Sequence, residues 1–404
     1  MHILLIHQAF AAINEPGGTR HHEFARLLAK QGHQVSIIAS TVSYLTGVKG
    51  EQTKVVSEFD GLIHIYRAYT YSALHKSFFH RLLSFFSFMI SSFFISLRIS
   101  HVDVVWGTSP PIFQSFTAWL VARIKRAKFL LEIRDLWPAF AIAVGVVQNK
   151  FIISLSLWLE RFLYRHADQL IVNSPGFIQH VQEKGGKNIT LIPNGADETF
   201  FQQNLQKEHH LNSLWKNQFV VLYAGAHGMS NDLSTVLAAA KLLAEQNDIL
   251  FAFLGDGKEK NHLIEEAGNL NLRNVQFIDP VPKTEISAYF QAASACLAIL
   301  KPLELYKTTY PNKVFDYMAA GKPIILAIDG VIRDVVEDAG CGYFCQPADP
   351  QAIAHCILKL KGLDPSALQS LGENGKEYLR QHFDRKIIGK YFSDMIEKMV
   401  EKYV

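Results

Sequence analysis

The chain has 404 residues, 49% of them hydrophobic and 19% charged, with a formal net charge of +3. That length predicts two or three domains, each able to bury its own core. The composition excludes a disordered chain, and so small a net charge gives no ground for nucleic acid as a partner.

The opening "MHILLIHQAF" has no basic n-region and no small-residue cleavage site, so it is expected to be a buried first strand and not a secretory signal. Strands are predicted at 3–7, 34–40, 62–68, 102–107, 128–133, 169–173 and 189–193. Most are continuous apolar runs, the pattern of a parallel sheet covered by helices on both faces. Phe24, Leu27 and Leu28 mark the inner face of a helix over 19–31, with Gly32 at its stop. The loop before it, "NEPGGTRHHEF" (14–24), carries Gly17 and Gly18, which can let the backbone approach a ligand or simply make a turn, and Arg20, a candidate anion contact.

Segment 76–100 holds seven phenylalanines, with Lys76, Arg81 and Arg98 near its ends and Ser84, Ser87, Ser91 and Ser96 at near-helical spacing. Its uninterrupted apolar part is shorter than the ~20 residues a bilayer span needs. It is either an internal helix or one lying in a lipid interface. In "FLLEIRDLWPAF" (129–140) an apolar strand ends in Glu132, Arg134 and Asp135. Charges there must be solvated or paired. They either form an ion pair that holds the loop or contact a substrate.

The polar stretch 201–213 reads as a linker, after which the scheme repeats with strands at 219–225, 249–255, 275–278, 295–300, 323–328 and 342–345 and a helix over 233–246. This predicts a second doubly wound α/β domain. The expected division is 1–200, 201–383, and a last helix over 384–404. In open parallel sheets ligands sit beyond the strand C-termini, beside helix N-termini. One such place is "YPNKVFDYMAAG" (310–321). A helix starting near Pro311 would offer the first-turn amides of Asn312 and Lys313, and the Lys313 charge, to an anion. Asp316, one turn on and about 6 Å along the same face, could accept two hydrogen bonds from a vicinal diol. Phosphate at the tip and ribose one turn further is the layout of a nucleoside diphosphate. The alternative is a solvated Asp316 and an Asn312 that only caps.

The four cysteines form no CxxC pair and fall in one half of the chain, which fits a reduced, cytosolic context. No Asp-x-Asp, zinc-spaced His/Cys cluster or G-x-S-x-G element occurs, so no metal site and no bound cofactor is expected.

"PNKVFDYMAAGKPII" resembles the donor-binding segment of retaining GT-B glycosyltransferases of the bacterial surface-polysaccharide type (O-antigen and capsule, glycosyltransferase family 4-like). The resemblance covers nearly the whole chain, through "GHQV" (32–35), "LERFLYRHADQLIVNSPGF" (159–177), "LIPNGAD" (191–197), "LYAGAHG" (222–228) and "FLGDGKEKNHL" (253–263) in the family's order. It implies two Rossmann-like domains facing across a cleft, with the last helix crossing back to the first. The acceptor would bind the N-terminal domain and a nucleotide-sugar co-substrate, UDP-linked, the C-terminal one. The resemblance also implies roles for residues. Gly17 and Gly18 would close over sugar and diphosphate, and Arg134 and Asp135 stand where the family often has a His-Asp pair. Gly225, His227, Val281, Tyr310, Asn312, Lys313 and Asp316 would line the donor, with Val281 at the base. Thr308 and Asp316 occupy the places of two glutamates eight apart, and Ala226 and Asn231 those of a phosphate-binding Arg and Lys. Charge neutralisation then falls to Lys313, with Lys307 and Arg134 as candidates. A saccharide acceptor on a polyprenyl diphosphate, and peripheral attachment to the inner membrane face through 76–100, would suit such an enzyme. The same fold also accommodates a nucleotide-sugar 2-epimerase or a non-catalytic nucleotide-binding subunit.

Overall fold

The apolar runs become the central strands of two sheets. The computed structural model describes residues 1–13, 15, 17–43, 49, 55–72, 78–202, 211 and 214–401. Most of the expected linker, 201–213, and Lys76 in the phenylalanine-rich segment fall outside them. The chain forms two compact units, one containing Met1–Ile13, Gly17–Pro193 and the chain from Lys386, the other Asn194–Arg385.

The first unit holds an eight-stranded sheet ordered β3-β4-β2-β1-β5-β6-β7-β8. These strands are β1 His2–Ile6, β2 Gln34–Ser40, β3 Val56–Glu58, β4 Ile63–Ala68, β5 Val104–Ser109, β6 Lys128–Ile133, β7 Gln169–Val172 and β8 Ile189–Leu191. All pair in parallel except β3, a short antiparallel edge strand that hydrophobic runs alone do not reveal. β1 and β5 are buried along their whole length, which is why their sequences do not alternate. The last helix, Arg385–Glu401, packs in this unit from Lys386 on. Phe392 lies 4.9 Å from the Phe24 ring and 4.8 Å from Trp106, and burying one such side chain contributes about 1.5–3 kcal/mol. Gly389 lets Leu27 come close, since a Cβ there would lie 2.2 Å from its Cδ1.

The helix Phe78–Arg98 buries serines as well as phenylalanines and leaves an apolar stripe exposed. Ser84, Ser92 and Ser96 are buried. Ser92 and Ser96 donate to helix carbonyls one turn back. The inward serines, with Phe85 and Phe88, bring this helix against its neighbour Ile112–Lys125, while Phe79, Phe86 and Phe94 remain exposed.

The second unit holds a wholly parallel six-stranded sheet ordered β11-β10-β9-β12-β13-β14. The strands are β9 Phe219–Ala224, β10 Ile249–Leu254, β11 Val275–Ile278, β12 Ala295–Ile299, β13 Ile324–Ala327 and β14 Gly342–Phe344. Its core is built from these strands and the flanking helices, including Leu233–Leu242 and Pro350–Lys361. Order 10-9-12 places a change of winding direction at β9/β12, where such sheets bind ligands beyond the strand ends.

Candidate active site

The first unit gathers polar groups where β1, β5 and β6 end. The registers Ile6–Gly107 and Thr108–Glu132 set His7, Thr108 and residues 132–135 side by side. Glu132 is fully buried. Its Oε1 accepts from Arg20 Nε at 2.9 Å, and its Oε2 from His21 Nε2 at 2.7 Å and Trp106 Nε1 at 3.1 Å. Arg20 also donates to the carbonyls of Pro193 and Ile192, so it is spent inside the fold and is not the anion contact expected of it. Burial pushes the Glu132 carboxyl up, but the neighbouring His21 and Arg20 outweigh it and hold the group far below the usual carboxylate range. Burial holds His21 itself at about 4. His21 is therefore neutral at pH 7, and Arg20 is the charge that balances Glu132.

Arg134 does not make the ion pair considered for it. Its Nη1 lies 3.2 Å from His7 Nε2. A guanidinium can only donate, so His7 is neutral and carries its proton on Nδ1, which faces Thr108 Oγ1 at 2.7 Å. Burial, with His21 and Arg134 close by, lowers His7 well below the ordinary histidine range and gives the same protonation state. His7 thus aims Arg134 from the end of β6. Asp135 is exposed. The protein around it pushes its carboxyl up to about 6, against the pull of Arg134. Because the residue is open to solvent, the direction of that shift counts for more than its size. Of the two glycines, only Gly17 demands its identity. It has φ +141°, and a Cβ there would lie 2.9 Å from Ala11, whereas Gly18 has open space around it.

The second cluster forms around the helix Asn312–Ala319. Pro311 is its N-cap, so Asn312 is not, and no side chain caps the first turn. The helix is pinned to the sheet by Tyr317, whose hydroxyl accepts from Ala224 N at 3.1 Å and donates to Leu297 O at 3.2 Å. Asn312 Nδ2 donates to Asp316 Oδ2 at 2.8 Å, and Lys283 Nζ stands 3.9 Å from Oδ1. The Asp316 carboxylate is therefore oriented and partly neutralised.

Lys313 is the unusual member. Its residue keeps some surface, but its ammonium nitrogen is buried and has no hydrogen-bond partner among the described residues. It rests 3.8 Å above the Tyr223 ring. Gly225, at φ +146°, makes its room, since a Cβ there would lie 3.1 Å from Nζ. Burial lowers Lys313 to about 7. His227 lies in the loop after β9 and is fully buried against Tyr223, Phe253 and Phe277. Neither of its ring nitrogens has a partner, and burial, with Lys260 and Lys313 adding to it, lowers it to about 4. The loops after β9 and β10 interlock through glycines, where a Cβ on Gly257 would lie 2.4 Å from His227 O.

The remaining expected residues divide. Val281 lies half-buried in the loop after β11. Tyr310 packs its ring on Phe315 and Phe383, 5.7 and 5.9 Å away, and its carbonyl accepts from Asn194 Nδ2, so its place is in the helix's support. Lys307 is half-buried and pairs with Glu304 at 2.8 Å and Asp329 at 3.7 Å, which removes it as a free phosphate contact. Thr308 Oγ1 donates to Leu305 O. Sequence reasoning missed His7, His21 and Tyr223. A histidine closing an apolar strand was a visible signal for the first, and a histidine pair opening a helix for the second.

Comparison with known proteins gives these clusters a context. The model "Glycosyl transferase 4-like domain" matches residues 17–195 and "Glycosyl transferases group 1" matches 206–378. The chain is 25% identical over 332 residues to the probable glycosyltransferase WbjE of Pseudomonas aeruginosa, covering 80% of this chain and 81% of the relative. It is 24% identical to the putative colanic acid biosynthesis glycosyl transferase WcaI of Escherichia coli K12, covering 76% and 78%. Among solved structures, sucrose-phosphate synthase of Thermosynechococcus elongatus superposes with a TM-score of 0.78 at 18% identity over 99% of both chains. The Anabaena protein HepE, in complex with UDP-glucose, superposes at 0.73 with 15% identity over 98% of this chain and 100% of that one. The two matched domains, one in each compact unit and together taking in most of the sequence, identify the chain as a GT-B glycosyltransferase with a 4-like N-terminal domain and a group 1 C-terminal domain.

Proposed function

We propose that this glycosyltransferase takes a sugar from a nucleotide-sugar, UDP-linked, and transfers it with retention to a saccharide acceptor carried on a lipid, in bacterial surface polysaccharide synthesis. The observation that carries the donor assignment is the buried, unpartnered Lys313 ammonium beside an uncapped helix N-terminus. A buried charge without a partner is costly, and a pyrophosphate is the partner that suits both it and the helix dipole. The HepE complexes with UDP and UDP-glucose support a UDP donor by analogy of fold. WcaI and the lipopolysaccharide glycosyltransferase WaaG support the pathway class.

In this reading Lys313 and the first-turn amides stabilise the diphosphate as the bond from the anomeric carbon to phosphate oxygen breaks, the largest catalytic term. Asp316, oriented by Asn312, accepts from the ribose. The acceptor hydroxyl forms the new bond to the anomeric carbon, and its proton passes to the departing phosphate oxygen. Arg134 and Asp135 contact the sugars, and Val281 the base. The proposed neutralisation rests on Lys313 and the helix amides.

The test incubates the protein with a panel of UDP-sugars and a lipid-linked saccharide acceptor. A glycosylated product with the donor's anomeric configuration is the expected result. Epimerised donor alone would make it a 2-epimerase, and binding without turnover would make it a nucleotide-binding subunit.

A further inference from the structure

The helix Phe78–Arg98 leaves an apolar stripe exposed, and it has a neighbour with the same character. Phe79, Leu83, Phe86, Ile90, Phe94 and Leu97 are all exposed, Phe79 by 66% and Phe94 by 58%. Their spacing is three or four residues throughout, so they form one stripe about 27 Å long. The helix Lys150–His166 carries a second stripe, Phe151, Leu155 and Trp158, exposed by 77%, 51% and 56%. The helix Ile112–Lys125 packs against both. Its rings continue the apolar surface between them, with Phe113 5.2 Å from Phe86 and Trp119 4.8 Å from Phe162.

Charge on these three helices is one-sided. They carry Arg81, Arg98, Arg123, Lys150, Arg161 and Arg165 among their cations, and their single acidic residue is Glu160. Glu160 is fully buried and paired with His180 at 2.8 Å. The face therefore presents aromatic and aliphatic side chains with cations and no carboxylate. Soluble surfaces rarely gather so many large apolar groups.

We propose that this three-helix face is a docking surface for an anionic lipid membrane, on which the first unit lies without spanning it. Phenylalanine and tryptophan would enter the acyl boundary, and arginine and lysine would meet the headgroup charge. The inward serines decide against spanning, because one side of Phe78–Arg98 is committed to its neighbour in the fold. A second copy of the chain fits less well, since pairing this face with itself would bring like charges together. The inference does not depend on the donor or acceptor and is tested without either.

The experiment sediments the full chain with phosphatidylcholine vesicles, with and without phosphatidylglycerol, at low and high salt. Binding is expected to the anionic vesicles at low salt. It should weaken at least about tenfold in the double variant Phe94→Ser, Trp158→Ser, and also in Arg98→Glu, Arg161→Glu. All four side chains are exposed, and an unchanged melting temperature shows that the variants fold. Three results would overturn the proposal: no binding to anionic vesicles at low salt, binding that the serine variants leave unchanged, or a lipid-free dimer that the same variants dissociate.

Discussion

Both units bury a charged group near the C-terminal ends of parallel strands, and they treat it in opposite ways. In the first, Glu132 is buried with Arg20, His21 and Trp106 filling both of its oxygens. In the second, the Lys313 ammonium is buried against an aromatic face with no hydrogen-bond partner among the described residues. A complete network holds a fold together, whereas an incomplete one stores a cost that a ligand can relieve. The contrast separates a structural charge from a binding charge without reference to motif, and it can be broken at several points.

The largest expected effect is on Glu132→Ala. Removing the acid leaves the Arg20 charge buried and uncompensated, and should cost about 3–5 kcal/mol of unfolding free energy in a denaturant titration. A loss below about 1 kcal/mol would show that the network is not structural. Lys313→Met should do the reverse. It removes an unpaired buried charge, so stability without nucleotide should hold or rise, while kcat/KM for transfer falls about 100- to 1000-fold. A variant that keeps full turnover would remove Lys313 from the donor site.

Gly225→Ala comes next. It combines a strained positive φ with a contact on Nζ, so it should cost about 1–3 kcal/mol of stability and weaken UDP-glucose binding measured by calorimetry. The same substitution at Gly18 should do neither, because that position has open space.

The smallest expected effect is on pH. Lys313 sits at about 7 without ligand, and a bound pyrophosphate raises it. UDP-glucose affinity should therefore be complete below pH 7 and fall above it, by at most about tenfold per unit, until the bound-state value is passed. The pyrophosphate of UDP-glucose does not titrate in that range, so the slope reports the lysine. Stability without ligand has the opposite trend. The lysine's pKa is depressed from its ordinary 10.5, so the protein should gain stability as pH rises from about 7 toward that value. Both trends should vanish in Lys313→Met.

The parallel strands, the two-domain division and the helix at 312–319 were legible in the sequence, because continuous apolar runs and the Pro-helix-Gly punctuation are local signals. Asn312, Lys313 and Asp316 were readable as neighbours on one helix turn for the same reason, whereas Gly225 entered only through the family resemblance. What sequence could not supply was the partner of each charge. Glu132, Arg134 and Asp135 look alike as a triplet, yet one is paired, one is aimed by His7 from another strand, and one faces solvent. The direction of the phenylalanine-rich helix was equally hidden, since both serine and phenylalanine recur along it. Periodicity fixes which residues share a face, but only packing against Ile112–Lys125 decides which face is inside. Local sequence determines secondary structure and the positions where chemistry can occur. Burial and pairing arise between segments a hundred residues apart, and these decide which of the candidate charges is left for a ligand.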